Sequence, residues 1–504
     1  NWYAEAKDTS HNLLWDWGTD TLPAGIDEPN NNIWVTNLNG RYGANEAAWV
    51  YSPCFDISSL ERPMIRFDHW SDTRNRGDGT VLEFQNTDGT WTPLGELDRG
   101  INWFNSDFIA GSPGNQVLSP IGWSGQSNDW INSRYKLDEF KNTQPSKLRL
   151  RMAFGSSSIN LGTFYNGFAF DNVWIGNRTR NVLLETTSNI YEPDMDNVNN
   201  YVYQLAYHSP INKDVILLQY HSEAPNDADE FHQYNRAISN ARTLFYGIFD
   251  AGTAFIDGIS NTRSKWLDDL SFEQNMLESP KFEVEIDTFY HTNPGQFTLT
   301  TTITALVDIT AMERYRINMV ITEDSLSYVN GENVHAVVRK DYPSNSTNTF
   351  DRTWVAGDQV TLTHVYSSIG LNYVPNHFQA VVFIQAQLDS AREVFQAATT
   401  RDVNGYWVGV DQVASEQDLN EIKDMTLYPN PAKDYINIDF PELLEKDYNW
   451  KLISIGGITV KEDVIHAGEQ SLTINNYDLP SGVYIFMVYN GNVYSQRKVI
   501  INQN

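Results

Sequence analysis

Cysteine is almost missing from this chain: its 504 residues hold one, Cys54. No intramolecular disulfide can form, and no thiolate cluster can hold zinc or an iron–sulfur centre. The stretch around it, "WVYSPCFDIS", alternates as a strand does, so a buried and inert thiol is the expected state. Positive charge is scarce as well, with 35 Lys and Arg against 64 Asp and Glu for a formal charge of −29. Such a surface repels phosphate backbones and anionic headgroups, which argues against nucleic acid as a partner, and it attracts divalent cations where carboxylates converge. No stretch approaches the ~18 consecutive apolar residues that span a bilayer. Gly-x-Ser-x-Gly, Gly-x-x-x-x-Gly-Lys-Ser/Thr and His-Glu-x-x-His are all absent, which removes the common hydrolase and nucleotide-binding signatures. The opening "NWYAEAKD" has neither methionine nor a signal h-region, as expected of a processed form or an excerpt.

What the chain does have is aromatics, 13% of all residues with 15 Trp and 26 Tyr. Together with recurrent Thr and Asn they favour pleated, half-buried surfaces, and the length requires several cores, so the expected fold class is mostly β and multidomain. Residues 1–176 carry short aromatic strand patterns ("AAWVYSPCF", "PMIRFDHW", "TVLEFQNTDGTW", "KLRLRMAF", "GFAFDNVWIG") separated by Gly, Asn and Asp turns, the pattern of a sandwich or jelly roll. From "NLNGRYGANEAAWVYSPCF" through "GWSGQSNDW" to "GFAFDNVWIG" the segment resembles a jelly-roll module of secreted Bacteroidota proteins, related to adhesin-like and MAM-like folds. That resemblance implies an accessory binding or interaction domain.

Residues 177–278 change pattern: "NVLLETT", a helix from Pro193 to His208, "DVILLQYH", a helix from about Asp227 to Phe245, then "TAFIDG". Met195, Val198, Val202 and Leu205 share one helix face, and the apolar run Val215–Leu218 suits a strand buried on both sides. The order β-α-β-α-β resembles a thioredoxin-like α/β domain, here degenerate. Where relatives carry a Cys-x-x-Cys-Pro this chain reads "ETTSNIYEPD", and Gly252 stands near the place of the usual proline, so disulfide exchange is excluded. Residues 279–402 alternate cleanly in "QFTLTTTITALV" and "YRINMVITED" and are expected to form a β-sandwich. Taken together, residues 180–405 resemble a family of outer-membrane-associated Bacteroidota proteins.

Residues 403–426 lose periodicity and read as a linker. At "LYPNPAKDYINIDF" the two prolines deny ladder hydrogen bonds and bend the chain into a strand in which Ile436, Ile438 and Phe440 alternate with Asn437 and Asp439. With "YNWKLISIGGITV", "SLTINNYDLPSGVYIFMVYNG" and "NVYSQRKVII" following, residues 427–504 are identified as resembling the type A C-terminal sorting domain of the type IX, or Por, secretion system, an immunoglobulin-like β-sandwich. The resemblance carries the sorting signal onto Pro429, Asn430, Pro431, Gly457, Pro480, Gly482, Val483, Tyr484 and Lys498. It implies as partners the translocon and outer-membrane shuttle, a place at the cell surface or outside the cell, and release or attachment to surface lipopolysaccharide.

Candidate sites in the remainder are sparse. His221, Glu223, Asp227, Asp229, Glu230 and His232 could ligate a metal, but acidic residues at a helix start cap amides and complement the dipole without one. "DMDNVN" at 194–199 lacks the glycine of an EF-hand and is a helix start as well. Asn45, Glu46, Asp78 and Asp171 could converge on calcium, as related modules do, or could satisfy turn geometry. No other cofactor is called for. Trp103, Phe104, Trp123 and Trp130 lie in Gly, Asn and Ser-rich segments, with Trp103 and Trp123 either an exposed platform for sugar or peptide or part of a core. The functional expectation is a non-enzymatic adhesive or ligand-binding protein for a glycan or protein; the alternatives are a self-assembling subunit of an extracellular filament and a secreted hydrolase without a recognisable motif.

Overall fold

A computed structural model describes residues 2–19, 32–38, 40–141, 147–159, 165–248, 250–293, 296–310, 314–327, 333–342, 348–367, 377–387, 392–401, 425–444, 446–454, 459–490 and 493–503. The chain forms two compact units. The first comprises Asn1–Asp287, Thr300–His364 and Asn372–Val408, and the second comprises Thr288–Leu299, Val365–Leu371 and Gly409–Asn504.

Within the first unit, the N-terminal aromatic segments pair into two five-stranded antiparallel sheets. One runs in the order Tyr3–Ala6, Ala47–Asp56, Lys147–Gly155, Gly79–Gln85, Trp91–Pro93, the other Trp15–Thr19, Asn32–Thr36, Gly167–Asn177, Pro63–Asp72, Ile131–Lys136. Alternate side chains of both enter one core with Trp15, Phe67, Phe154, Phe168 and Phe170 at its centre. This is the two-sheet sandwich that the alternation requires. Cys54 departs from expectation: it is exposed. The register between Ala47–Asp56 and Lys147–Gly155 shifts between Tyr51 and Cys54, and this bulge reverses the alternation so that Cys54 points outward.

Beyond the sandwich lies a mixed sheet of nine strands. Val182–Ser188 and Val215–His221 run parallel in register, connected by helix α1 (Met195–His208). Thr253–Ile256 joins antiparallel after helix α2 (Glu230–Tyr246). The sheet continues through Val337–Asp341, Tyr315–Glu323, Phe378–Ala386 and Val394–Thr399. Residues 177–278 and 279–402, expected as separate domains, therefore share one sheet, because Gln219 pairs with Val337 across the proposed boundary. Period-two alternation sorts the two faces. Val182, Leu184, Val215 and Leu217 pack beneath Val202, Leu205 and Ala206 of α1, while Leu183, Ile216, Leu218 and Tyr220 pack with Val320, Val381 and Phe383 on the other face. A further three-stranded sheet contains Phe282–Asn293, Gln296–Ala305 and Gln359–Ser367.

The sandwich and the mixed sheet are fastened by arginines of the segment between them. Arg178 is buried: its Nε and Nη2 donate to Asp214 at 2.7 and 2.6 Å, and its Nη1 donates to Asp138 at 2.7 Å. Arg180 donates to Asp257 at 2.8 Å and to the Val394 and Phe395 carbonyls, which covers the outer edge of the last strand. Arg62 reaches back from the sandwich to the carbonyls of Arg178, Arg180 and Lys213. Met64 enters the core under α1, and Glu273 accepts from Arg99 and from the Gly100 amide.

The second unit holds the C-terminal β-sandwich: Thr426–Tyr428, Tyr435–Asp439 and Ser471–Asn475 in one sheet, and Thr459–Ile465, Tyr448–Ser454, Gly482–Asn490 and Val493–Ile501 in the other. Ile436, Ile438, Phe440, Trp450, Phe486 and Val499 fill its core, which is the alternation read from the sequence. The segment expected as a linker lies, from 402 to 424, outside the described residues.

Replacing Arg178 by methionine leaves two carboxylates facing a buried apolar chain, and the expected loss is about 3–5 kcal/mol. Urea unfolding of the variant against the parent checks it; a loss below about 1 kcal/mol would show that water replaces the guanidinium at little cost.

Candidate functional site

The expected aromatic platform is not where it was placed. Trp103 and Trp123 are 4% and 2% exposed, packed against Phe67, Phe104 and each other, with ring centroids 5.2 Å apart. Their indole N–H groups donate to the Leu94 and Asn102 carbonyls at 2.8 and 3.1 Å, so both ends of each side chain are committed to the core. Phe104 is buried beside them and Trp130 is half-buried. Among the exposed aromatics of this domain Trp17 pairs with Trp34: the two stand directly opposite each other on neighbouring strands with rings 5.5 Å apart. Trp34 rests on the core, and Trp17, on the terminal strand of its sheet, is 51% exposed. The two tryptophans stand apart in sequence, Trp17 in "LLWDWGTD" and Trp34 in "NIWVT", and only the pairing of their strands brings them together, while Trp15 of the first run enters the core.

The four residues proposed for calcium do not converge. Asp78 is buried, and its two oxygens accept from Tyr42 at 3.0 Å and the Ser157 amide at 2.8 Å, with Arg74 3.6 Å away. Protein donors and a cation thus already satisfy the charge a calcium ion would need. Glu46 accepts from Asn12, Asn45 donates its amide to the Ser157 carbonyl with a left-handed backbone, and Asp171 stands on the opposite sheet across from Asp68. Among the described residues no group of three or more His, Cys, Asp or Glu is arranged to hold a metal.

At the carboxyl ends of the parallel strands lies a buried polar cluster. Asp229 caps α2, accepting from the Phe231 and His232 amides at 2.9 and 3.0 Å, and also accepts from the Ile190 amide and contacts His221 Nδ1 at 2.8 Å. Burial pushes the Asp229 carboxyl up, but the His221 hydrogen bond and charge and the donated amides outweigh it and hold it below its ordinary value. His232 Nδ1 meets the His221 carbonyl at 2.9 Å, and Asp227 pairs with Arg236 at the surface. Both histidines are sealed from solvent, as is Asn189, which bridges the Ser222 and Asn226 carbonyls.

In the C-terminal sandwich the carried-over residues do come together. Asn430, held between Pro429 and Pro431 at the surface, clasps the final strand: its Nδ2 donates to the Lys498 carbonyl at 2.9 Å and its Oδ1 accepts from the Ile500 amide at 2.8 Å. Ala432 then donates to the Ile500 carbonyl and accepts from Asn502, so the first and last segments close on each other. On the adjoining strand the buried Tyr484 donates its hydroxyl to the Pro480 carbonyl at 2.8 Å, fixing the turn that precedes Gly482 and the half-buried Val483. Lys498 projects outward across from Ile485. Gly457 lies outside the described residues. Residues 426–502 match the family described as the secretion system C-terminal sorting domain. The chain is type IX secretion cargo. It is exported to the cell surface or the extracellular space, and the sorting domain is the part addressed to the secretion machinery.

No curated protein matches the chain. Among solved structures it is similar to HBP35 of Porphyromonas gingivalis, 12% identical, covering 65% of this chain and 100% of that one with a TM-score of 0.36. TmCBM61 in complex with beta-1,4-galactotriose is 5% identical over 35% of this chain and 88% of that one, with a TM-score of 0.21. The BSP domain of a biofilm associated protein is 8% identical over 98% and 83%, at 0.17. Scores this low define neither the passenger's fold nor its role.

Two substitutions separate folding from recognition in the sorting domain. Asn430→Ala removes both clasp bonds and is expected to cost about 1–2 kcal/mol in its unfolding transition. A methyl group on Gly482 would meet nothing closer than the Tyr484 ring at 3.6 Å, so Gly482→Ala is expected to leave the melting temperature unchanged. Calorimetry of both variants checks this, and any loss of export by Gly482→Ala then reports recognition, not folding.

Proposed function

We propose that the passenger is a non-enzymatic adhesive or ligand-binding protein, delivered outside the cell by its sorting domain and engaging a glycan or protein through the Trp17–Trp34 surface of the N-terminal sandwich. The observation that carries this reading is the tryptophan pair in which exposed Trp17 lies on half-buried Trp34. Indole faces bury a large apolar area at small conformational cost and hold sugar rings or apolar side chains well, and a rigid sheet keeps both rings in place. The sealed state of the His221–Asp229–His232 cluster also supports binding over catalysis, since a substrate has no route to the two imidazoles without opening the core. After export the passenger is released or joined to surface lipopolysaccharide, as carriers of this sorting domain are.

The reading is tested by titrating the purified protein with a glycan panel and with extracellular matrix proteins while following tryptophan fluorescence. A saturable signal is expected, weakened about tenfold or more in Trp17→Ala and Trp34→Ala and retained in Trp174→Ala. Saturable binding that both platform variants keep in full would place the ligand elsewhere.

A further inference from the structure

We propose that a histidine-gated latch holds the last strand of the passenger to helix α1 and opens in mild acid. Arg401 follows that strand and precedes the segment leading to the sorting domain. Its guanidinium lies 3.5 Å over the Tyr207 ring and donates to Asp324 Oδ2 at 2.6 Å. Asp324 is held in turn by the Ala336 amide at 2.6 Å and by the Gln379 side chain. One carboxylate thus joins α1, the end of Tyr315–Glu323 and the exit of Val394–Thr399.

His335 sits in the middle of this arrangement. Its ring stacks on Tyr203 at 3.8 Å, its Nδ1 is buried without a hydrogen-bond partner, and that atom is 3.9 Å from Asp324 Oδ1. The groups facing it are Tyr203 and His208 from α1, Asp324 from the strand end, His377 ahead of the next strand, and Arg401. Burial, and then Arg401, His208 and His377 against the opposing pull of Asp324, hold the His335 imidazole below its ordinary value. A proton arriving there meets three cationic or protonatable neighbours and competes with Arg401 for the single carboxylate.

The sign follows from linkage. A histidine whose value is lowered by closing stabilises the closed state above about pH 6.5, and that contribution is lost as pH falls. Glu323 acts in the opposite sense: burial and the Asp324 charge, against Arg339, raise it to about 7, so its contribution is full in acid and lost as pH rises through that value. Acid therefore loosens the Arg401 contact while the strand behind it stays firm, which confines the opening to the exit.

Hydrogen exchange of the full chain, corrected for intrinsic rates, tests this at about pH 7.5 and about pH 5, with protection over residues 394–401 expected to fall about tenfold in acid and that of the strand Tyr315–Glu323 expected to hold. His335→Phe keeps the stack on Tyr203 but cannot be protonated, and it should abolish the acid effect; His335→Gln provides a second non-titrating variant, and Glu323→Gln should leave the effect in place. Unchanged protection in the parent chain at about pH 5, or an acid effect that survives in a folded His335 variant, overturns the proposal.

Discussion

A buried guanidinium costs several kcal/mol to take out of water, and a protein keeps one only where it is met on every side. Arg178 is met by Asp214 and Asp138, with the Pro63 carbonyl completing its shell. Those partners come from the mixed sheet and the N-terminal sandwich, so neither domain's geometry is complete until the other is in place. Two residues on, Arg180 does the same for Asp257 and the last strand of the sheet, and Arg62 caps the carbonyls of the segment that carries both. The short stretch "NRTR", which in sequence looks like a boundary, is the fastening of the whole first unit.

Much of this architecture was legible in sequence wherever it rests on local periodicity. The alternation of Ile436, Ile438 and Phe440, the single face of Met195, Val202 and Leu205, and the doubly buried run of Val215–Leu218 all emerge in their expected places. The misses share one cause, the dependence of burial on pairing between distant segments. Trp103 and Trp123 sit among Gly, Asn and Ser and look like loop residues, but the loop folds back so that both indoles complete the sandwich core. Cys54 lies on a strand read correctly, yet one bulge turns it to the outside. The boundary near residue 278 disappears because Val337 finds Gln219, 118 residues away in sequence by subtraction of their numbers, and no local pattern encodes that bridge.

Export belongs to the C-terminal sandwich, where the clasp of Asn430 on the final strand makes the start motif and the chain end a single folded feature. The surface proposed to meet a ligand, the Trp17–Trp34 pair, lies in the sandwich at the other end of the sequence. In sequence between the two sandwiches runs the α/β layer, where Asn189 joins the Ser222 and Asn226 carbonyls and His221 meets Asp229, the N-cap of α2.

The claim on which the rest stands is that the C-terminal domain directs this passenger out of the cell. Fractionation of the native host expressing the full chain or a chain lacking residues 426–502 tests it most directly. The full chain is expected to reach the cell surface or the medium while the truncated chain folds but is retained in the periplasm. Recovery of the truncated chain outside intact cells, in the same yield as the full chain, would contradict it.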